Sequence, residues 1–355
     1  MNNLEKKVKR RIPNTKRVIK TISRASRNLI TLLIVGLAVH VLIPQLSSLQ
    51  KNITVLQSLK LWAVLIAVFS QFISYVGSGL TLTELVRITR HKLSVVQGLA
   101  ITLASFSIGL VAGGMFGSAA VTYRWVKTSG GGSDGASLTA TLPPILIDFC
   151  LLAISFLGVF HLVLVHSLTV LQAAAFIIIS IMLLLTFLIL RYAFKNRDKS
   201  ITIIYQKIKA IANFFKKKVS YSNFKKELDR LFSAWDLMAT GDWKGPLLGT
   251  VINILFDALT IYFIFIGVGH PISFGLLVTG YGLPLLFGKI AFIFPGGIGI
   301  IESTMIALYS SLGIPLSTAT IVILVYRLLS FWFPLIIGFS ITPLMNGLSR
   351  KREAE

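Results

Sequence analysis

Residues 244–268 read KGPLLGTVINILFDALTIYFIFIGV. After Lys244 the segment carries a single charged side chain, Asp257, in an otherwise apolar run. A stretch of about 20 apolar residues crosses a bilayer as a helix. The segment therefore reads as a membrane span that takes an acid into the bilayer. Comparable apolar spans occupy roughly 28–46, 58–80, 137–160, 168–190 and 318–345. Two further apolar regions, 94–130 and 273–312, are interrupted by glycine: Gly113, Gly114 and Gly117 in the first, Pro295, Gly296, Gly297 and Gly299 in the second. Each reads either as a spanning hairpin or as a re-entrant pair of half-helices. The expected fold is an all-α polytopic membrane protein of about six full spans plus these two broken regions.

The charge balance agrees with this reading. The 355 residues carry 35 Lys+Arg against 13 Asp+Glu, a net charge of +22, yet 54% are hydrophobic and the mean hydropathy is +0.80. Charged residues make up 14%, where a soluble domain holds about 25%. A uniformly basic globule and a disordered chain are thereby excluded. The basic residues are segregated: ten precede residue 28, twelve lie between 191 and 236, and Arg350, Lys351 and Arg352 stand near the end. Nucleic acid is not expected as a partner, because no nucleic-acid-binding motif accompanies the charge.

Basic segments stay on the cytoplasmic side of membrane proteins. With an uncleaved first span at 28–46, every large basic block falls on that side, and both termini are expected in the cytoplasm. The chain then divides into a basic tail (1–27), a first membrane repeat (28–190), a basic amphipathic loop (191–240), a second membrane repeat core (241–345) and a second tail (346–355). The repeat itself rests on a shift of 183 residues, which superposes Gly113-Gly114 on Gly296-Gly297 and Gly130 on Gly313. The counterpart spans run in opposite directions, the pattern of inverted-topology transporters, whose broken helices meet near the midplane. Irregular backbone at that depth is tolerated where it lines a protein or polar cavity. Residues 113–118 and 295–302 are accordingly the prime binding-site candidates.

Ionisable residues inside the membrane are costly and point to functional sites. Here they are Asp148, Asp257, Lys289, Glu302 and Arg327, with Arg124 at an edge. Glu302 follows the Pro-Gly-Gly-Ile-Gly run and either complements a helix dipole or takes part in a site. Lys289 either pairs with Glu302 or contributes to the site. Arg327 lies about ten residues into its span, too deep for easy snorkelling, and is expected to form a buried pair or a phosphate contact. Asp148 and Asp257 could balance these cations or face an amine headgroup.

Cys150 is the single cysteine, which excludes an internal disulfide. The five histidines form no close ligand set, and no metal or cofactor is expected. In the basic loop, Ile204, Ile208, Ile211 and Phe215 fall on one helical face beside Lys207, Lys209 and Lys216 to Lys218. The segment 191–236 reads as amphipathic helices on an anionic inner leaflet, or as ordinary positive-inside charge.

The run Phe294-Pro295-Gly296-Gly297-Ile298-Gly299-Ile300-Ile301-Glu302, followed by Gly313, Tyr326-Arg327 and Phe331-Trp332, resembles the lysylphosphatidylglycerol synthase transmembrane region family, whose bacterial members include the multiple peptide resistance factor. The segment from Gly113-Gly114 to Tyr123-Arg124 resembles that family's arginine-containing motif more loosely, with Gly117-Ser118 where many relatives carry Gly-Glu. The resemblance covers roughly 28–345. It implies a bacterial cell-membrane protein that translocates phospholipids such as aminoacylated phosphatidylglycerol and so confers resistance to cationic peptides. It implies membrane phospholipids as partners, and leaves open a separate aminoacyltransferase and a homo-oligomer. Full-length synthases add a soluble lysyl-transferring domain that is not visible here. An enzyme is therefore not the first expectation. The alternatives are a phosphatidylglycerol lysyltransferase, or a membrane subunit of one, and a non-transporting scaffold.

Overall fold

The computed structural model describes residues 57–111, 114–164, 170–214, 221–237, 243–290 and 297–354. The basic tail at 1–27, the span at 28–46, and Gly113, Pro295 and Gly296 lie outside the described residues, as does the side chain of Lys289. The described residues form helices and connecting turns, without a strand: an all-α polytopic membrane protein. The helices are α1 (Leu61–Ile88), α2 (Val95–Val111), α3 (Met115–Val126), α4 (Gly132–Leu164), α5 (Val170–Lys195), α6 (Arg197–Phe214), α7 (Tyr221–Leu237), α8 (Lys244–Gly267), α9 (Phe274–Ile290), α10 (Ile300–Ser311), α11 (Leu316–Arg327) and α12 (Phe333–Ala354). Short π-helical turns at Lys127–Gly131 and Leu328–Trp332 join α3 to α4 and α11 to α12.

By length and composition α1, the α3–α4 run, α8 and the α11–α12 run can each cross a membrane. At 1.5 Å per residue α5 also has the length, about 39 Å against a hydrocarbon core of about 30 Å. The two glycine-broken regions behave differently. Their second arms, α3 and α10, have 12 residues each, a rise of about 18 Å, which is half-helix length. Each begins at a glycine with positive φ, Gly114 (φ 68°) and Gly299 (φ 83°), a backbone that L side chains rarely adopt.

The shift of 183 residues carries Leu61, the start of α1, onto Lys244, the start of α8. It carries Met115 of α3 to two residues before α10, and Gly132 of α4 onto the residue preceding α11. The packing follows the same correspondence. Helices α1 and α8 form the most extensive interface and run antiparallel: Thr260 Oγ1 donates to Ala67 O, Gln71 meets Asp257, Asn253 Nδ2 donates to Ser74 O, and Thr81 meets Thr250. Helix α4 of the first half packs on α9 of the second, with Gly158 against Thr279 and Gly282 against Ser155. Reciprocally, α12 packs on α2, with Gly338 against Leu103 and Ser107.

Small residues make these approaches possible. A Cβ on Gly77 would lie 2.6 Å from Asn253 N, and one on Gly249 would lie 2.6 Å from Thr81 N. Gly77 faces α8, whereas Gly79 faces the backbone of α2 at Leu99. In lipid, helices gain little from hydrophobic burial against each other, so such close backbone packing and interhelical hydrogen bonds carry the association. A cluster of buried side chains that includes Ile254, Ile261, Phe265, Tyr281, Met305, Tyr309, Val322 and Tyr326 fills the second half and surrounds the charged groups described next.

A candidate polar site at the broken helix

Arg327 closes α11, eleven residues after Leu316 and about 16 Å along its axis. A helix that entered the bilayer at Leu316 would carry Arg327 to about the middle of a hydrocarbon core of about 30 Å. Its Nε donates to Glu302 Oε1 over 2.6 Å, and both side chains are buried. Glu302 is the third residue of α10. Its other oxygen, Oε2, accepts the Gly299 N–H at 2.7 Å. The carboxylate thus satisfies an otherwise unpaired N–H at the helix start, where the dipole favours a negative charge, and also holds a buried cation. The unusual backbone at Gly299 aims that N–H. Gly297, also at positive φ, packs its Cα against Ile301.

Beside this pair lies a second network. Asp257, partly buried on α8, accepts three hydrogen bonds: from Gln71 Nε2 at 2.9 Å, Tyr281 OH at 2.8 Å and Tyr326 OH at 2.7 Å. Tyr326 and Arg327 are consecutive, so the end of α11 bridges two acids on different helices. The π-helical turn that follows brings the Phe331 ring to 4.4 Å from the Arg327 guanidinium carbon, a cation–π contact. The same turn offers its Leu329 carbonyl to the Tyr75 hydroxyl on α1. Such turns recur where a helix must re-aim side chains at a functional site.

Four buried polar atoms here have no hydrogen-bond partner among the described residues: Arg327 Nη2, Gln71 Oε1, Ser330 Oγ and Trp332 Nε1. Most buried polar groups in folded proteins are paired, so a cluster of unused donors and acceptors is informative. A guanidinium with a free Nη2 edge can take an oxyanion such as a phosphate or carboxylate.

Of the sequence candidates, the structure brings Asp257, Gly299, Glu302 and Arg327 together. Arg124 lies exposed in the last turn of α3, and Asp148 is partly buried in α4, four residues after Pro144. Gly114 caps the start of α3. The shift of 183 places uncharged residues opposite these three: Ala119 opposite Glu302, Pro144 opposite Arg327 and Ser74 opposite Asp257. Sequence reasoning passed over Gln71, Tyr75 and Tyr281. Gln71 and Tyr75 were visible as an i, i+4 polar pair in the apolar span 58–80, on one face of the helix.

The sequence profile of the lysylphosphatidylglycerol synthase transmembrane region matches residues 28–338. A UPF0104 membrane protein of Pyrococcus horikoshii is 24% identical over 321 residues, which is 86% of this chain and 94% of that protein. UPF0104 membrane proteins of Methanocaldococcus jannaschii and Methanothermobacter thermautotrophicus are 32% identical over 90 and 89 residues, 25% of this chain and 26% of each relative. All three organisms are archaea, so the likeness extends beyond the bacterial members.

Proposed function

We propose, for a chain that belongs to the lysylphosphatidylglycerol synthase transmembrane region family, that it translocates phospholipids or another lipid-linked anionic substrate across the membrane. The observation that carries this reading is the buried Arg327–Glu302 pair with an unpartnered Nη2 at the head of a half-helix. A purely structural ion pair would be expected to use its hydrogen-bonding capacity, because unsatisfied buried donors are destabilising. Arg327 receives the lipid phosphate, and Lys289 and Arg124 serve along the path. Asp257, Asp148 and Glu302 balance the charge or hold an amine such as that of lysyl-phosphatidylglycerol. Gly114, at the start of α3, and Gly297 and Gly299, before α10, shape the starts of the two half-helices. Both termini face the cytoplasm in this reading.

The test is a vesicle assay with labelled phosphatidylglycerol and lysyl-phosphatidylglycerol. Proteoliposomes should exchange the label between leaflets faster than protein-free vesicles. Arg327→Ala and Glu302→Ala should abolish the difference. Equal exchange with and without the protein, or in wild type and both variants, counts against translocation. The family's description favours one second reading, phosphatidylglycerol lysyltransfer. Lipid extracts from cells expressing the chain without a synthase separate the two, since new lysyl-lipid there would favour the enzyme.

A further inference from the structure

Helices α6 and α7 form a unit that the translocation reading does not use. They make an antiparallel hairpin, closed by the pairs Arg197 Nη2–Asp236 Oδ1 (2.6 Å) and Lys225 Nζ–Asp198 Oδ1 (2.9 Å) and by the Tyr205 ring against Tyr221 and Phe224. Hydrogen bonding to Asp198 raises the Lys225 ammonium above its ordinary range, and Asp236 does the same for Arg197, so both cations keep their charge at neutral pH. The hairpin is seated on the membrane body: α7 packs against α4, and Ile201 and Phe232 are buried.

Helix α6 also has an apolar face left open among the described residues. Ile203, Ile204 and Ile208 are 54%, 38% and 36% exposed, although this helix has too many charged groups to be a span. At 100° per residue these three isoleucines share one arc with Lys207, and Lys199 lies at its edge. Tyr205, on the opposite side, makes the α7 contacts. The segment 191–236 holds twelve basic residues against four acids, two of which the interhelical pairs already engage. Its position is also informative: α6 leaves the apolar helix α5 after a single residue, Asn196, so it starts where a membrane-crossing helix ends.

We infer that α6 lies in the plane of the membrane, with Ile203, Ile204 and Ile208 inserted among the acyl chains of an anionic leaflet and Lys199 and Lys207 at its phosphates. An apolar face, a lysine at its edge, a second lysine within it whose long stem lets the ammonium reach the phosphates, and attachment to the end of a span suit an interfacial helix. A neutral leaflet supplies no partner for the charge surplus. A soluble protein partner would cover the face without regard to lipid charge.

The experiment uses the full chain with Cys150→Ser, which removes the sole cysteine, and a nitroxide attached at Ile204→Cys. The protein is placed in nanodiscs of phosphatidylcholine alone, or with about one-third phosphatidylglycerol. In the anionic discs the spin label should be accessible to oxygen and shielded from a water-soluble nickel relaxant. Each of Lys199→Glu and Lys207→Glu should lower the inserted-to-free ratio by at least about fivefold. About 0.5 M salt should weaken it further by screening. A label at Gln206→Cys, on the polar side of α6, should stay accessible to nickel throughout and reports that the helix is intact. A label at 204 that remains aqueous in both discs overturns the inference. So does one inserted equally in both and indifferent to charge reversal, or one shielded only when a soluble protein is added. Lipid exchange need not change in any of these, so the result is independent of the translocation reading.

Discussion

Arg327 Nε and Glu302 Oε1 lie 2.6 Å apart with side chains 5% and 7% exposed, at the junction of a half-helix and a π-helical turn. Each is the other's charge partner, and the Gly299 N–H occupies the second carboxylate oxygen. Removing one member leaves a buried charge without compensation.

Arg327→Met alone should therefore destabilise the protein by about 3–5 kcal/mol, as should Glu302→Leu alone. The double variant should lose much less than the sum, because replacing both charges with apolar groups of similar volume can be nearly neutral. Denaturation midpoints of the four proteins in detergent, combined as a double-mutant cycle, measure the difference. Lipid exchange should be lost in all three variants, including the stable double variant.

Asp257 allows charge to be separated from hydrogen bonding. Asp257→Asn keeps one oxygen for Tyr281 and Tyr326 and turns an amide toward Gln71. A flip of Gln71 then presents its unused Oε1 to that amide. The expected outcome is near-native stability, within about 1 kcal/mol, with lipid exchange reduced. Asp257→Ala leaves three donors unpaired, each costing about 1–3 kcal/mol. Equal thermal midpoints for the Asn and Ala variants would contradict this account.

The α1–α8 contact should respond sharply to single methyl groups. Gly77→Ala and Gly249→Ala place a Cβ 2.6 Å from backbone nitrogen on the facing helix. Overpacking of this kind costs about 1–3 kcal/mol. Gly347→Ala is the contrast: it lies inside α12 with open space around its Cβ. There alanine should be neutral or stabilise by up to about 1 kcal/mol through helix propensity. Thermal midpoints in the same detergent provide the comparison.

Gly299→Ala isolates backbone strain from crowding. Nothing lies within 4 Å of an added Cβ, but φ is 83°. A cost of about 1–2 kcal/mol is expected from the left-handed backbone alone. Because the N–H of Gly299 must stay aimed at Glu302, lipid exchange should fall as well. An unchanged midpoint and unchanged exchange would show that the cap geometry has no such role.

Much of the fold was legible because lipid imposes strong rules on sequence. The span at 137–160 falls within α4, and those at 58–80 and 244–268 overlap α1 and α8 except for residues 58–60 and Val268, since about 20 apolar residues have few other structures available. The 183-residue offset, which moves 58–80 to about 241–263, also carries the start of α1, Leu61, onto the start of α8, Lys244. The broken regions were readable as breaks but not as full or half-length arms. Composition is apolar in either case, and arm length depends on where Gly114 and Gly299 take positive φ.

The candidate site divides in the same way. Asp257, Glu302 and Arg327 stood out as charges within apolar runs, because solvation makes such residues rare there. Two partners of Asp257, Gln71 and Tyr281, did not stand out. Gln71, 186 residues from Asp257, is an ordinary amide until antiparallel packing of α1 on α8 puts it 2.9 Å from the carboxylate. Sequence alone determined which side chains could not be tolerated in lipid without compensation. The tertiary structure decided which compensates which: Arg327 with Glu302, and Tyr326, Tyr281 and Gln71 with Asp257. The physical reason is range: hydrophobicity is a property of each local segment, whereas a hydrogen bond of under 3 Å depends on the joint placement of helices far apart in the chain.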